Sequence, residues 1–216
     1  MHTKRQIAGK IAECGLIPVI RTSAAAQAME VADALQKGGA PVIEITMTVP
    51  GALDVFEELS RSVSENVILG AGTVLDGETA RLAILAGAQF VVAPTLDKKT
   101  IEVCHRYGKV VIPGALTPTE ILRAWEMGAD FVKVFPADAL GGPGYIKAVK
   151  APLPQVDLIP TGGVDIRTAP EFIRAGAAAV GAGSSLIDKK ILKEGTYDRL
   201  VQMTKDFLKA IKEARS

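Results

Sequence analysis

Met127-Gly128-Ala129-Asp130-Phe131-Val132-Lys133-Val134-Phe135-Pro136 reads as a helix end, a glycine stop and a short strand rich in β-branched and aromatic residues. The same sentence is written again along the chain. Lys37-Gly38-Gly39-Ala40 precedes Val42-Ile43-Glu44-Ile45-Thr46, Leu85-Ala86-Gly87-Ala88 precedes Phe90-Val91-Val92-Ala93, and Arg174-Ala175-Gly176-Ala177 precedes Ala179-Val180-Gly181. Between these units fall three more apolar runs, Asn66 to Gly70, Lys109 to Pro113 and Val156 to Pro160. Leu16-Ile17-Pro18-Val19-Ile20-Arg21 opens the series, which makes eight strands.

Helical patterns fill the gaps. Thr3 to Glu13 predicts a short helix ahead of the first strand, with Ile7 and Ile11 on one side, and Thr22-Ser23 is placed to cap an alanine-rich helix from Ala24 to about Lys37. Further helices are expected over about 52–64, 76–86, 97–107, 118–127, 144–150, 168–175 and 196–214. Strict alternation implies a parallel sheet, and eight units imply closure into a (β/α)8 TIM barrel with an additional N-terminal helix, residues 1–216 forming one domain. An open doubly wound sheet would carry a GxGxxG turn after its first strand, and Arg21-Thr22-Ser23 has no such glycines.

A chain of 216 residues suits a single barrel. Its 25 Lys plus Arg nearly balance 24 Asp plus Glu, so no net field favours nucleic acid or an acidic membrane as partner. The longest uncharged run, Leu82 to Leu96, is interrupted by Gly87 and Pro94 and is too short to span a bilayer. Met1-His2-Thr3-Lys4-Arg5 leads into a charged amphipathic segment, with His2 in a flexible end, and a soluble, cytoplasmic protein is expected. Cys14 and Cys104 lack CxxC spacing, so reduced thiols are the default. Cys104-His105 sits in an ordinary helical pattern without further clustered ligands, and no metal is expected.

Two charges are out of place. Strand alternation puts Phe131, Lys133 and Phe135 on one face and Val132 and Val134 on the other, so the lysine has no polar side to occupy. An ammonium stripped of hydration gives up its proton more readily, and the neutral amine is what attacks a carbonyl to form a Schiff base. Alone, such a lysine could instead lie at a strand edge with its head in water. Glu44 repeats the anomaly between Val42 and Thr46, and two opposite charges inside one small barrel make each other's burial less costly. A carboxylate near a lysine can also carry protons.

Function in a closed barrel collects where the strands end. Thr161-Gly162-Gly163-Val164 and Gly181-Ala182-Gly183-Ser184-Ser185 follow the seventh and eighth strands, where backbone N–H groups commonly hold phosphate. Either alone could be a tight turn; together they point to an anion site. Arg21 offers a planar fork suited to a carboxylate, and Thr73 a second donor to the same anion. Lys98-Lys99, Lys147 and Lys189-Lys190 lack apolar strand settings and read as solvated surface charges.

At these residues the chain resembles the 2-keto-3-deoxy-6-phosphogluconate (KDPG) and 4-hydroxy-2-oxoglutarate aldolase family. The similar blocks run in one order over nearly the whole chain: Val42 to Thr46, Gly70-Ala71-Gly72-Thr73-Val74, Val92-Ala93-Pro94, Ile112-Pro113-Gly114, Phe131 to Pro136, and Pro160 to Val164. The resemblance implies a class I aldolase of carbohydrate metabolism, free of metal and cofactor, usually a homotrimer. It implies Lys133 as Schiff-base nucleophile and Glu44 as general acid/base. Gly162, Gly163, Gly183 and Ser184 would hold the phosphate of a keto-acid substrate, Thr73 its carboxylate, and Thr161 the sugar-derived chain. Phe135 and Pro94 would wall the imine.

One departure matters. Some members carry an arginine in a Thr-Leu-Arg-Thr run after the glutamate, whereas this chain has Thr46-Met47-Thr48-Val49-Pro50; it resembles other members with Thr-Val-Pro here and an arginine ending the first strand, and that resemblance implies Arg21 for the carboxylate. That leaves open the galactonate-derived epimer and 4-hydroxy-2-oxoglutarate as substrates. Two rivals share the glycine loops: a phosphate-binding isomerase or epimerase without a covalent imine, and a non-catalytic sugar-phosphate sensor.

Overall fold

A computed structural model of the chain describes residues 2–216; Met1, where the expected domain begins, lies outside it. In chain order the strands are β1 (Leu16–Ile20), β2 (Val42–Thr46), β3 (Ile68–Gly72), β4 (Phe90–Val92), β5 (Val110–Ile112), β6 (Gly114–Ala115), β7 (Val132–Val134), β8 (Leu158–Pro160) and β9 (Val180–Ala182). The helices are α1 (Lys4–Cys14), α2 (Ala25–Lys37), α3 (Ala52–Ser62), α4 (Gly77–Leu85), α5 (Lys98–Arg106), α6 (Pro118–Glu126), α7 (Pro143–Lys150), α8 (Thr168–Arg174), α9 (Lys189–Glu194) and α10 (Tyr197–Ala214). All strand pairings are parallel, as strict β/α alternation requires.

The strands form a curled six-stranded sheet in the order β5-β4-β3-β2-β1-β9 and a three-stranded sheet β6-β7-β8. The fifth expected strand is split. Pro113 lacks an N–H and interrupts the ladder, so Lys109 to Pro113 becomes β5 and a break, and the extra strand β6 follows beyond it. The break is spanned by β7, whose flanking Asp130 N–H donates to Val111 O (3.1 Å) and whose Lys133 N–H donates to Pro113 O (2.9 Å). At the other seam Ala178 N–H donates to Leu158 O (2.9 Å), and Thr161 bridges Gly181.

Side-chain alternation divides the interior into two cores. Inward-facing Ile17, Val42, Ile68, Phe90, Val110, Phe131 and Ile159 pack with Ile7 and Ile11 of α1. Outward-facing Ile43, Ile45, Val91, Val111, Val132 and Val134 pack beneath the helices. Helix α1 therefore plugs the end at which the strands begin. Its start is a capping box of Thr3 and Gln6, and Lys4 pairs with Asp130 at 2.9 Å beside the first residues of β7.

Several local expectations are corrected. The third strand begins two residues later than Asn66, because Asn66 and Val67 turn on Ser64, with Val67 N–H donating to Ser64 O at 2.8 Å. The last strand is Val180–Ala182 and not Ala179 to Gly181, and the first ends at Ile20. Thr22 and Ser23 do not cap α2: Ala24 takes the cap position without a side-chain bond, and Thr22 Oγ1 instead donates to Ala24 O at 2.9 Å. His2 is tied down by a ring hydrogen bond with Glu65 O at 3.0 Å. His105 bonds Gly128 O at 2.9 Å, while burial pushes the Cys104 thiol up to about 12. No helix of the described residues is long and apolar enough to cross a membrane.

Candidate active site

Each strand that carries a polar anomaly carries it two residues beyond an apolar plug residue on the same face. Val42 gives way to Glu44 and then Thr46, and Phe131 to Lys133 and then Phe135. Both charges are buried, Glu44 at 3% exposure and Lys133 at 6%, which removes the strand-edge reading of the lysine. The ammonium sits over the Phe135 ring, 5.1 Å from its centroid, so an aromatic face replaces part of the lost water.

The room for Glu44 comes from β3. A side chain on Gly72 would overlap the Glu44 carboxylate, and one on Gly70 would overlap the Phe90 ring. Gly70-Ala71-Gly72 is therefore small where its inward positions meet larger neighbours. Among the described residues, Glu44 Oε1 is buried with no hydrogen-bond partner. Burial raises the Glu44 carboxyl above its ordinary value, and the charges of Lys133 and Arg21 offset this only in part. A carboxyl raised in this way can hold and release a proton nearer neutrality.

Above the pair opens a cavity of about 720 Å³. Arg21, Thr73, Pro94, Lys133, Phe135, Thr161, Gly162, Gly163, Gly183 and Ser184 all line it, so ends of strands far apart in sequence meet at one mouth. Glu44 lies below the lining, out of solvent. Next to it Thr46, fully buried, donates to Ile20 O at 3.1 Å and pairs with Thr48 Oγ1 at 2.7 Å, which pins the end of β2 to the residue before Arg21. Thr73 has φ of 57°, a left-handed conformation costly for a β-branched residue and of the kind found at functional loops.

The glycine loops form one wall. Gly163 has φ of +66°, and a side chain there would come within 2.5 Å of Asp138 Cβ. Gly183 is different: a Cβ would meet only Val19, at 4.0 Å, so packing does not require glycine and the missing side chain leaves room in the cavity. Ser185 Oγ donates to Val164 O, joining the loop after β9 to the loop after β8. Asp165 organises the latter by accepting from Arg167 N–H and Thr168 N–H, both at 2.8 Å. These bonds, the Thr168 N–H first, hold its carboxyl below the ordinary range despite some burial.

Lys189, read from sequence as a surface charge, is exposed as expected but also lines the cavity, together with Val19, Asp165, Ile187 and Leu192. Helix α9, which carries it, lies outside the helices that the sequence pattern predicts. The signal was present: Asp188 caps that helix by accepting from Ile191 N–H at 2.7 Å, in the sequence Asp188-Lys189-Lys190-Ile191.

Residues 7–203 match the family model described as KDPG and KHG aldolase. A 2-dehydro-3-deoxy-phosphogluconate aldolase of Haemophilus influenzae is 34% identical over 211 residues, 98% of this chain and 99% of that protein. Among solved structures, one described as native KDPGal is 32% identical with a TM-score of 0.85, covering 93% of this chain and 95% of its own. A KDPG aldolase from Legionella pneumophila, with pyruvate captured as a covalent carbinolamine intermediate, is 29% identical with a TM-score of 0.85, covering 93% and 97%. With a family match over most of its length and a relative of this identity over nearly all of it, the chain belongs to the KDPG and KHG aldolase family.

Proposed function

We propose that this protein is a class I aldolase that cleaves 2-keto-3-deoxy-6-phosphogluconate to pyruvate and glyceraldehyde 3-phosphate through a Schiff base on Lys133. The observation that carries the reading is a buried lysine lining a cavity, with a buried carboxyl that feels its charge and whose Oε1 has no hydrogen-bond partner among the described residues, and glycine loops on the cavity wall. The carbinolamine in the Legionella relative is the first adduct such a lysine would form with pyruvate.

In this reading Arg21 and Thr73 hold the substrate carboxylate, and Gly162, Gly163, Gly183 and Ser184 hold the phosphate. The Lys133 amine adds to C2, and loss of water leaves an iminium that serves as an electron sink. Glu44, through a bridging water, takes the proton of the C4 hydroxyl. The C3–C4 electron pair then passes into the iminium, releasing glyceraldehyde 3-phosphate. Protonation of the enamine at C3 and hydrolysis of the imine free pyruvate and Lys133. Thr161 contacts the sugar-derived chain, and Phe135 and Pro94 keep water from the imine.

The two sheets act as one closed (β/α)8 barrel and one domain, a reading supported by the hydrogen bonds across both seams. A homotrimer in the cytoplasm, working in Entner–Doudoroff carbohydrate breakdown, completes the proposal. Incubation with pyruvate and borohydride should add a pyruvate-derived mass to Lys133; labelling elsewhere, or none, counts against it.

A second reading changes only the stereochemistry at C4. The likeness to the KDPGal structure and the placement of Arg21 at the cavity favour including the galactonate-derived epimer. Turnover rates with both epimers and with 4-hydroxy-2-oxoglutarate decide between them.

A further inference from the structure

We infer that Lys189 is a specificity-determining residue, a mobile cation at the phosphate end of the cavity that favours phosphorylated over unphosphorylated keto acids. The inference rests on the aldolase reading and adds to it a side chain on an element outside the glycine loops.

The chain path brings Lys189 there. After Gly183, the Leu186 and Ile187 N–H groups both donate back to Gly183 O, at 3.0 and 2.8 Å, so the backbone turns over its own glycine loop. Lys189 follows that turn and lines the same cavity as Gly162, Gly163, Gly183 and Ser184. Lys190, its neighbour, is exposed and does not line it.

Three carboxylates lie near this end, and that of Asp138 packs behind Gly162 and Gly163 without lining the cavity, so a cation on the cavity side has an acidic loop to offset as well as an anion to meet. Asp188 would be the nearest competitor in sequence, but its carboxylate accepts from Ile191 N–H at 2.7 Å and lies 3.6 Å from Arg199. Asp165 also lines the cavity, and its charge is engaged by two backbone N–H groups and by Arg167 at 3.3 Å. Lys189 itself makes no ion pair within 4.0 Å among the described residues. Glycine N–H groups and a serine hydroxyl supply hydrogen bonds without a formal charge, so they distinguish a phosphate dianion from a hydroxyl less strongly than a cation does. An ammonium on a flexible stem can reach a phosphate as a point charge while remaining solvated when the site is free.

The test compares wild type, K189Q, K189R and, as control, K190Q, with 2-keto-3-deoxy-6-phosphogluconate and with the same acid lacking phosphate. K189Q should raise KM for the phosphorylated substrate about 5- to 20-fold, the range of one partly screened charge-assisted contact. Its kcat should change by less than about 2-fold, since the contact is made equally in ground and transition states. The ratio of kcat/KM between the two substrates should fall by the same factor, K189R should recover most of it, and K190Q should match wild type. An unchanged ratio in K189Q, or an equal loss in K190Q, overturns the inference and leaves the aldolase reading standing. If wild type turns over neither acid and gives no borohydride adduct at Lys133, the aldolase reading fails. Titration with glycerol 3-phosphate then decides the matter: weaker binding by K189Q than by wild type supports a phosphate cation, and equal binding overturns it.

Discussion

The two ends of the curled sheet are built from the same strands and behave as opposites. At the closed end, Val42, Phe90, Phe131 and Ile159 meet Ile7 and Ile11 of α1 in a dry apolar core. At the open end, two residues further along the same rows, Glu44, Lys133 and Thr161 lie at or beneath the floor and walls of a cavity. One pleat step thus separates residues that hold the sheet together from residues that could perform chemistry. The floor is rigid because it is packed from below, and this lets a charge be held without water around it.

The largest expected effect comes from removing the amine. Lys133→Met should abolish both turnover and the borohydride adduct while the fold is kept, with the Glu44 carboxyl, deprived of the Lys133 charge, raised further toward its protonated form. Retained turnover would break the contrast at its centre. Next, Glu44→Gln should slow turnover about 10²–10⁴-fold on general acid/base magnitudes while still permitting slow adduct formation. Rates equal to wild type would remove Glu44 from proton transfer.

At the closed end the consequences should reverse. Ile11→Ala, in a fully buried plug residue, should cost about 2–5 kcal/mol of stability yet leave kcat of the folded enzyme within about 2-fold of wild type. Denaturant midpoints and rates measured well below the transition would show whether the plug and the site are separable in this way.

The pH dependence sharpens the comparison further. Burial raises the Glu44 carboxyl in the folded chain, so between its unfolded value, about 4.3, and its folded value the folded state keeps a proton that the unfolded state has lost. The contribution of this group to stability is therefore full below the unfolded value and declines as pH rises through the folded one. Glu44→Gln cannot titrate, so the gain in thermal midpoint of that variant over wild type should grow as pH rises above the unfolded value and level off above the folded one. A gain that shrinks over this range would mean that the carboxylate is stabilised, not penalised, by its surroundings.

The smallest effect is expected from Thr46→Val, which removes the buried bond to Ile20 O ahead of Arg21. About 1 kcal/mol of stability and a severalfold rise in KM for pyruvate-forming substrates are expected, with Thr46→Ser recovering both.

Particular residues show how much could be read in advance. Lys133 and Glu44 stood out because a charged group inside an apolar, β-branched run violates the pattern around it, and the structure buries both. The glycine repeats marked the helix ends for a similar reason. Thr73 offers a hydroxyl that the sequence shows, but its left-handed backbone depends on the loop between β3 and α4 and leaves no trace in residue type. The split between β5 and β6 was half visible, since Pro113 stood at the strand's end and its missing N–H was known, but not that chain would pair again beyond it. Lys189 could not be told from Lys190 by composition; only the turn over Gly183 separates them.

The amino-acid order by itself determined the alternation of strand and helix, the inward and outward rows of each strand, and the two charges that interrupt them. These follow from periodicities of a few residues, which local chemistry obeys. Which strand ends share a mouth, how Gly72 makes space for a carboxylate, and which lysine lines the cavity were decided only by tertiary structure. Such placements depend on register and loop path between segments a hundred residues apart, and no local spacing encodes them.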